Sequence, residues 1–372
     1  MVYSVFQYLC QKHSALLSEA FNLEFSLMET NEKASILIIY TGGTIGMRED
    51  PVTKTLAPMK FGMLLDEIPE LNKLGYILHS ITFNPPIDSS NMTPAIWAQL
   101  ARTIQKNYTK YDGFVILHGT DTMSYTASAL SYMFENLDKA VIMTGSQLPI
   151  GVLRTDGKEN LITAVQVAAA KKDGSSVVPE VCIYFDSQLF RGNRTTKKDS
   201  AQFSAFASHN YPALAKAGVD IVFNYEKINY PKNKGVLKIN TSVDDHVIVL
   251  KIFPGLNRHY FDSILQLPDL KGIVLESYGS GNMPTSGWLI NAIRKATKKG
   301  IILMNVSQCP GGKVVMGHYE TSTELQKAGV ISGGDSTVEA AVTKLMFLLG
   351  QNLTPEETKY YLRNNLKGEI EG

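Results

Sequence analysis

The sequence predicts an α/β protein: a larger N-terminal domain on a doubly wound, mainly parallel sheet, and a smaller C-terminal α/β domain. Three observations carry this. Short β-branched apolar runs, such as Ile36-Leu37-Ile38-Ile39 and Phe114-Val115-Ile116-Leu117, alternate with longer segments of helical period, the pattern of parallel strands joined by crossover helices. The runs end in turns rich in glycine, hydroxyls and acids. The alternation fades over 225–245, a polar stretch with Pro231, Gly235 and Asp244-Asp245, then restarts. The expected divisions are therefore an extension over 1–33, a domain over 34–224, a linker over 225–245 and a domain over 246–372.

In chain order, the first strand ends in Tyr40-Thr41-Gly42-Gly43-Thr44-Ile45-Gly46. Paired glycines let a backbone take positive φ or approach a ligand closely. The charged, proline-containing segment 47–58 reads as a surface loop placed where a lid would lie. A short helix is expected over about 61–68 and a strand over 76–83. That strand runs into Asn84-Pro85-Pro86-Ile87-Asp88-Ser89-Ser90-Asn91. Thr93-Pro94 opens a helix, with the threonine hydroxyl as cap and proline at the first helical position. The second core strand ends in His118-Gly119-Thr120-Asp121-Thr122, and a helix follows over 123–136. Ala140-Val141-Ile142-Met143 ends in Thr144-Gly145-Ser146-Gln147. A helix over 160–170 and a strand over 181–185 lead to Arg191-Gly192-Asn193-Arg194-Thr195-Thr196-Lys197. Beyond the polar stretch, strands are expected at 247–250, 272–275 and 301–304, with a helix over 288–299. Ser336 to Glu339 has capping-box spacing, and Thr354-Pro355-Glu356-Glu357 opens a last helix the same way.

The chain's 372 residues give room for two cores. Its net charge of +1 builds no field favouring nucleic acid or an anionic membrane. Lys171-Lys172 and Lys298-Lys299 fall at expected helix ends, where cations oppose the dipole. Cys10, Cys182 and Cys309 are scattered, odd in number and without metal spacing. No apolar run reaches the roughly 20 residues of a membrane span. The first 33 residues lack a basic start followed by a clean apolar block, so they do not read as a signal peptide. Two readings stand for them: an appended surface helix, or an assigned start upstream of the true one at Met28.

The strand ends assemble the candidates Thr44, Asp88, Ser89, Thr120, Asp121 and Lys197. No His/Cys cluster points to a metal, and no G-x-S-x-G elbow is present. Hydroxyls, carboxylates and one lysine suit acyl transfer without a cofactor. A threonine hydroxyl needs a base or a prearranged proton acceptor, and backbone N–H groups at Gly-rich turns suit an oxyanion. The plainer alternatives are Asp121 or Thr122 as helix caps, Lys197 as a solvated charge, and His118 as a satisfied, partly buried histidine.

Thr41-Gly42-Gly43-Thr44-Ile45-Gly46 and His118-Gly119-Thr120-Asp121-Thr122-Met123 resemble the two signatures of bacterial-type L-asparaginases. The resemblance extends to Asp88-Ser89-Ser90, Thr144 to Gln147, Gly192 to Lys197, and Asn305-Val306-Ser307-Gln308-Cys309. It covers about Ser35 to Gly368 and is closest to the cytoplasmic type I branch. It implies Thr44 as the nucleophile forming a β-aspartyl ester, with Thr120, Asp121 and Lys197 as a second catalytic group. It also implies substrate contacts from Asp88, Ser89, Ser90, Gly119, Thr120 and Asp121. The implied substrate is L-asparagine, with neither cofactor nor metal, no nucleic-acid or membrane partner, and a homodimer or homotetramer in the cytoplasm. Many relatives carry a lid-loop tyrosine where Leu56 stands, and Tyr319 is the expected substitute hydroxyl. Two other readings within reach are a non-catalytic amino-acid sensor and the asparaginase-like subunit of a tRNA-dependent amidotransferase.

Overall fold

In the computed structural model, which describes residues 33–49, 56–58, 67–231, 235–284, 286–317 and 320–371, the apolar runs form the strands of two sheets. The first 32 residues and most of the expected 61–68 helix lie outside the described residues.

The N-terminal sheet is eight-stranded. Its strands are β1 (Ser35–Tyr40), β2 (Ile77–Thr82), β3 (Gly113–Leu117), β4 (Ala140–Thr144), β5 (Val181–Phe185), β6 (Gln188–Arg191), β7 (Ala215–Ala217) and β8 (Ile221–Phe223). Their spatial order is β8-β7-β6-β5-β4-β3-β1-β2. β2, β1, β3, β4 and β5 run parallel, and β6, β7 and β8 are added antiparallel. The central strands are buried throughout, Ser35 at the start of β1 excepted, as sheets covered on both faces require. Helices α1 (Pro94–Asn107) and α2 (Met123–Met133) pack through Trp97, Leu100, Ala127 and Leu130 on the face carrying Leu37, Ile39, Phe114 and Ile116. Helix α3 (Gly157–Ala169) covers the opposite face, where Gly113 lies against Ala168.

The C-terminal sheet is four-stranded and parallel, in sequential order β9 (Val247–Lys251), β10 (Gly272–Ser277), β11 (Ile302–Ser307) and β12 (Ile331–Ser332). Helices α4 (Arg258–Ile264), α5 (Gly287–Lys298) and α6 (Glu320–Lys327) make the crossovers. A core of Phe261, Ile273, Leu275, Leu289, Ile293 and Leu303 lies on their side of the sheet. Helices α7 (Val338–Leu349) and α8 (Pro355–Arg363) cover the other side, against Val274, Ile302 and Met304. α7 also packs on α2, with Tyr132 Oη donating to Ala340 O at 3.1 Å.

Local chemistry departs from expectation in five places. Thr93 makes no side-chain cap, so Pro94 alone marks the start of α1. α2 ends at Met133, because Phe134 turns into the core and Phe134–Glu135 pairs with Lys238–Ile239. The cap of α7 is Thr337, whose side chain accepts from Ala340 N; Glu339 faces Thr196 instead of closing a box with Ser336. Lys171–Lys172 lies beyond α3 in a small hairpin with Ser175–Ser176. Within the expected 47–58 loop, Met47–Glu49 pairs with Leu56–Pro58 as an antiparallel ribbon. At α8 the full capping box forms between Thr354 and Glu357.

Candidate active site

β2 and β3 flank β1, so the chain winds one way to β2 and the other way through β3, β4 and β5. Such a switch point leaves a crevice at the carboxyl ends of the strands. Register places four ends on one rim: Tyr40 stands level with Thr82 and Leu117, and Leu117 with Thr144. Thr44, the Asp88–Ser90 turn, Thr120 and Gln147 each follow one of these ends.

The first and third ends touch backbone to backbone. A Cβ on Gly43 would lie 2.5 Å from Gly119 N, and Gly43 has φ of 93°. A Cβ on Gly119 would lie 2.5 Å from Ser89 Oγ. Only glycine permits these approaches. Each candidate threonine is the residue directly after one of these glycines. Thr44 is half-buried and opens a single 3-10 turn, Thr44–Gly46. Among the described residues, no group hydrogen-bonds its hydroxyl.

Lys197 reaches the rim from a short antiparallel pairing of Thr196–Lys197 with Phe206–Ala207. Its Nζ donates to Thr120 Oγ1 at 2.8 Å and to Asp121 Oδ1 at 2.7 Å. The Lys197 side chain is 18% exposed and that of Asp121 66%, so the pair has one end in the protein and a carboxylate facing solvent. Asp121 is thus no helix cap, and Lys197 no free surface charge. Nor does Thr122 cap: its hydroxyl donates to Ser89 O at 2.7 Å, tying the second strand end to the third.

Because Lys197 occupies the Thr120 oxygen, the hydroxyl's own proton is directed to Gln147 Oε1, 3.4 Å away. Gln147 Nε2 donates to Gln202 O at 3.1 Å, and both oxygens of Asp156 accept from Gln147 N. The sequence marked Gln147 only as part of a motif; its place at the fourth strand end was the available signal.

Ser89 is buried at 3% exposure. The Asp88 carboxylate accepts from Ser90 N at 2.9 Å, and this amide holds it below the usual carboxylate range. The Asp88 side chain is therefore committed to its own turn, while Ser90 is exposed. His118 is fully buried, and burial pushes its pKa down to about 4. It is satisfied, as expected, but fully rather than partly buried, and in its neutral form.

The strand carrying Lys197 is held from behind by the C-terminal domain. Thr196 Oγ1 donates to Glu339 at 2.6 Å, and burial raises the Glu339 carboxyl above its ordinary range. Arg194 pairs with Asp335 at 2.6 Å and donates to Gly368 O at 2.6 Å. Arg191 pairs with Glu180 at 2.7 Å. Lys344 and Glu369 form a further buried pair. Charge buried this deeply is tolerated only when paired. Nothing local in the sequence announced these partners, which lie up to 174 residues apart.

Tyr319 lies outside the described residues, as do the side chains of residues 56–58. Among the described residues, Asp244, Asp245 and His246 form the one group with metal-ligand proximity. Asp245 and His246 are exposed, and Asp244, half-buried, is already held by Lys271 and His246. Two cavities of about 630 and 640 Å³ open elsewhere, by the C-terminal tail and between α4 and α5, and neither is lined by the rim residues. No described helix is long and apolar enough to cross a membrane.

Comparison with known proteins identifies the family. Residues 35–229 match the family model described as Asparaginase, N-terminal, and residues 246–362 match the Glutaminase/Asparaginase C-terminal domain. The chain is 42% identical over 347 residues to L-asparaginase 1 of Escherichia coli K12, covering 91% of this chain and 98% of that one. It is 42% identical over 357 residues to the 60 kDa lysophospholipase of Homo sapiens, covering 90% of this chain but 61% of the longer human protein. The crystal structure of L-asparaginase I from Vibrio cholerae superposes with a TM-score of 0.82 at 42% identity, over 91% of this chain and 99% of that chain. With both halves of the family matched and the likeness running the length of bacterial type I enzymes, the chain belongs to the bacterial-type L-asparaginase family, in its type I branch, and is an amidohydrolase.

Proposed function

We propose that the protein hydrolyses L-asparagine to L-aspartate and ammonia through an acyl-enzyme on Thr44. The observation that carries this reading is the Lys197 ammonium bound at once to Thr120 and Asp121, on the rim that also bears Thr44. Thr44 Oγ1 attacks the side-chain amide carbon. The C–N bond breaks, and nitrogen leaves as ammonia once it has gained a proton. Water then attacks the β-aspartyl ester, releases aspartate and returns the proton to Thr44. Lys197 polarises the Thr120 hydroxyl, and a positioned acid–base group of this kind contributes about 10²–10⁴-fold. The exposed oxygen of Asp121 receives the α-ammonium. Ser89 and the Asp88 backbone, with Ser90 beside them, receive the α-carboxylate. Gly119 and neighbouring backbone amides hold the oxyanion. The same reading makes the protein a cytoplasmic homodimer or homotetramer.

The test is ammonia release from L-Asn and L-Gln by the purified protein beside Thr44→Ala. Turnover of L-Asn that collapses in the variant supports the reading. An intact protein that binds L-Asn, seen as a raised melting temperature, yet releases no ammonia would overturn it and identify a sensor.

A further inference from the structure

Behind the rim lies a buried hydrogen-bond chain that the hydrolysis itself does not use. Trp97 Nε1 on α1 donates to Thr126 Oγ1 on α2 at 3.1 Å. Thr126 Oγ1 lies 3.0 Å from His118 Nε2, and His118 Nδ1 lies 2.7 Å from Gly119 O. The three side chains are 6%, 0% and 1% exposed. We propose that this chain is a positioning device: it locks one tautomer of His118 and thereby sets the plane of the Gly119–Thr120 peptide, aiming the Thr120 N–H out of the core.

Each hydrogen is assigned by its neighbours. An indole N–H only donates and a carbonyl oxygen only accepts. The Thr126 oxygen therefore accepts from Trp97, and His118 Nδ1 must carry the proton given to Gly119 O. A neutral ring then presents Nε2 as an acceptor, and the Thr126 hydroxyl fills it. The direction is single from Trp97 to Gly119, with no end left unsatisfied, as a buried network must be. Burial depresses the basicity of His118, which keeps the ring neutral as this direction requires.

The consequence reaches the rim through the peptide bond. A trans peptide carries its C=O and N–H on opposite edges. With Gly119 O held inward by His118, the Thr120 N–H points the other way. No acceptor among the described residues takes it. Thr120 is also the residue whose hydroxyl Lys197 holds, so one buried histidine fixes the backbone on which that side chain stands. The inference rests on the reading of the rim as an amidohydrolase site.

The test uses the whole chain and four proteins in parallel: wild type, His118→Asn, His118→Gln and His118→Phe. The Asn amide stands where Nδ1 stood and keeps the donor to Gly119 O; the Gln amide replaces Nε2 instead. Removing one oxyanion donor costs about 10²–10³ in kcat. The expected result is a fall of about 10²-fold in kcat for Gln and Phe, with KM within about threefold, and a value within about tenfold of wild type for Asn. Asn and Gln variants of equal activity, or a folded Phe variant within threefold of wild type, would overturn the proposal. Nitrogen-15 NMR of the His118 ring gives a readout that needs no turnover. It should show Nδ1–H with Nε2 unprotonated from pH 8 down to 5, and an Nε2–H tautomer would overturn the proposal even if every variant failed to fold. Absence of ammonia release by the wild type would instead sink the assigned reaction while the tautomer measurement still decided the lock.

Discussion

Gly43→Ala tests whether the close approach of two strand ends is what places Thr44 beside Thr120. A Cβ at Gly43 would stand 2.5 Å from Gly119 N, 2.6 Å from Gly119 Cα and 2.9 Å from His118 C, against 3.4 Å or more in an ordinary contact. All three are backbone atoms, so no side chain can swing aside. The two ends must part by the difference, about 0.9 Å. A misplacement of about 1 Å costs on the order of 10²-fold in rate. With φ of 93° and ψ of 168°, Gly43 lies in a region essentially restricted to glycine, which adds strain of about 1–3 kcal/mol for any residue with a Cβ. Gly75→Ala separates the two effects, because Gly75 has φ of 74° with nothing within 4 Å. The expected outcome is that both variants lose about 1–2 kcal/mol in chemical denaturation, with an added loss for Gly43→Ala, and that only Gly43→Ala loses about 10²-fold in kcat for ammonia release. A Gly43→Ala protein within threefold of wild-type kcat, or a Gly75→Ala protein equally impaired, would refute the reasoning.

Lys197→Met should leave the melting temperature nearly unchanged, since its ion-pair partner Asp121 is 66% exposed and stays solvated without it, and should lower kcat by about 10²–10⁴-fold in the same assay. Glu369→Gln leaves the Lys344 ammonium, 1% exposed, without a counter-charge, facing only neutral oxygens such as Leu362 O and Asn364 O. Urea titration should read a loss of about 3–5 kcal/mol, and a loss below 1 kcal/mol would mean the pair holds little. Acid should destabilise the fold through His118. Its pKa falls from 6.5 to about 4 on folding because of burial, so between those values the unfolded chain binds the extra proton. This contribution is fully present above pH 6.5 and is lost as the pH falls towards 4, a total of about 3 kcal/mol. Denaturant melts at pH 7 and 4.5 should lose that slope in His118→Asn.

Much of this protein is legible in its amino-acid sequence because the signals are local. A β-branched run of four or five residues bounded by glycine has few options besides a buried strand, and β1, β3, β4 and β5 form where such runs stand. Gly43 and Gly119 announce close backbone approach, since no other residue tolerates it. Element ends are less secure. A threonine before proline promises a cap at Thr93, yet the hydroxyl forms none. Glu339 stands at capping-box spacing, yet it is drawn to Thr196 across the domain junction. A short polar side chain has several partners within reach, and tertiary packing chooses among them.

Residue type and position after a strand were enough to single out the candidates for chemistry: Thr44, Thr120, Asp121 and Lys197 are the hydroxyls, acid and base of strand-end motifs. That Thr120, Asp121 and Lys197 meet, on the rim that bears Thr44, follows only from the packed fold. Strand order put β1 beside β3, parallel register made four ends level, and a hairpin after β6 brought Lys197 across 77 residues to Thr120. The fold also supplied what stands behind them, from Gln147 and His118 to the buried pairs of Arg191, Arg194 and Lys344. Those arrangements depend on contacts between residues far apart in the chain. Their free energy comes from excluding water at a packed interface, which no local run of sequence displays.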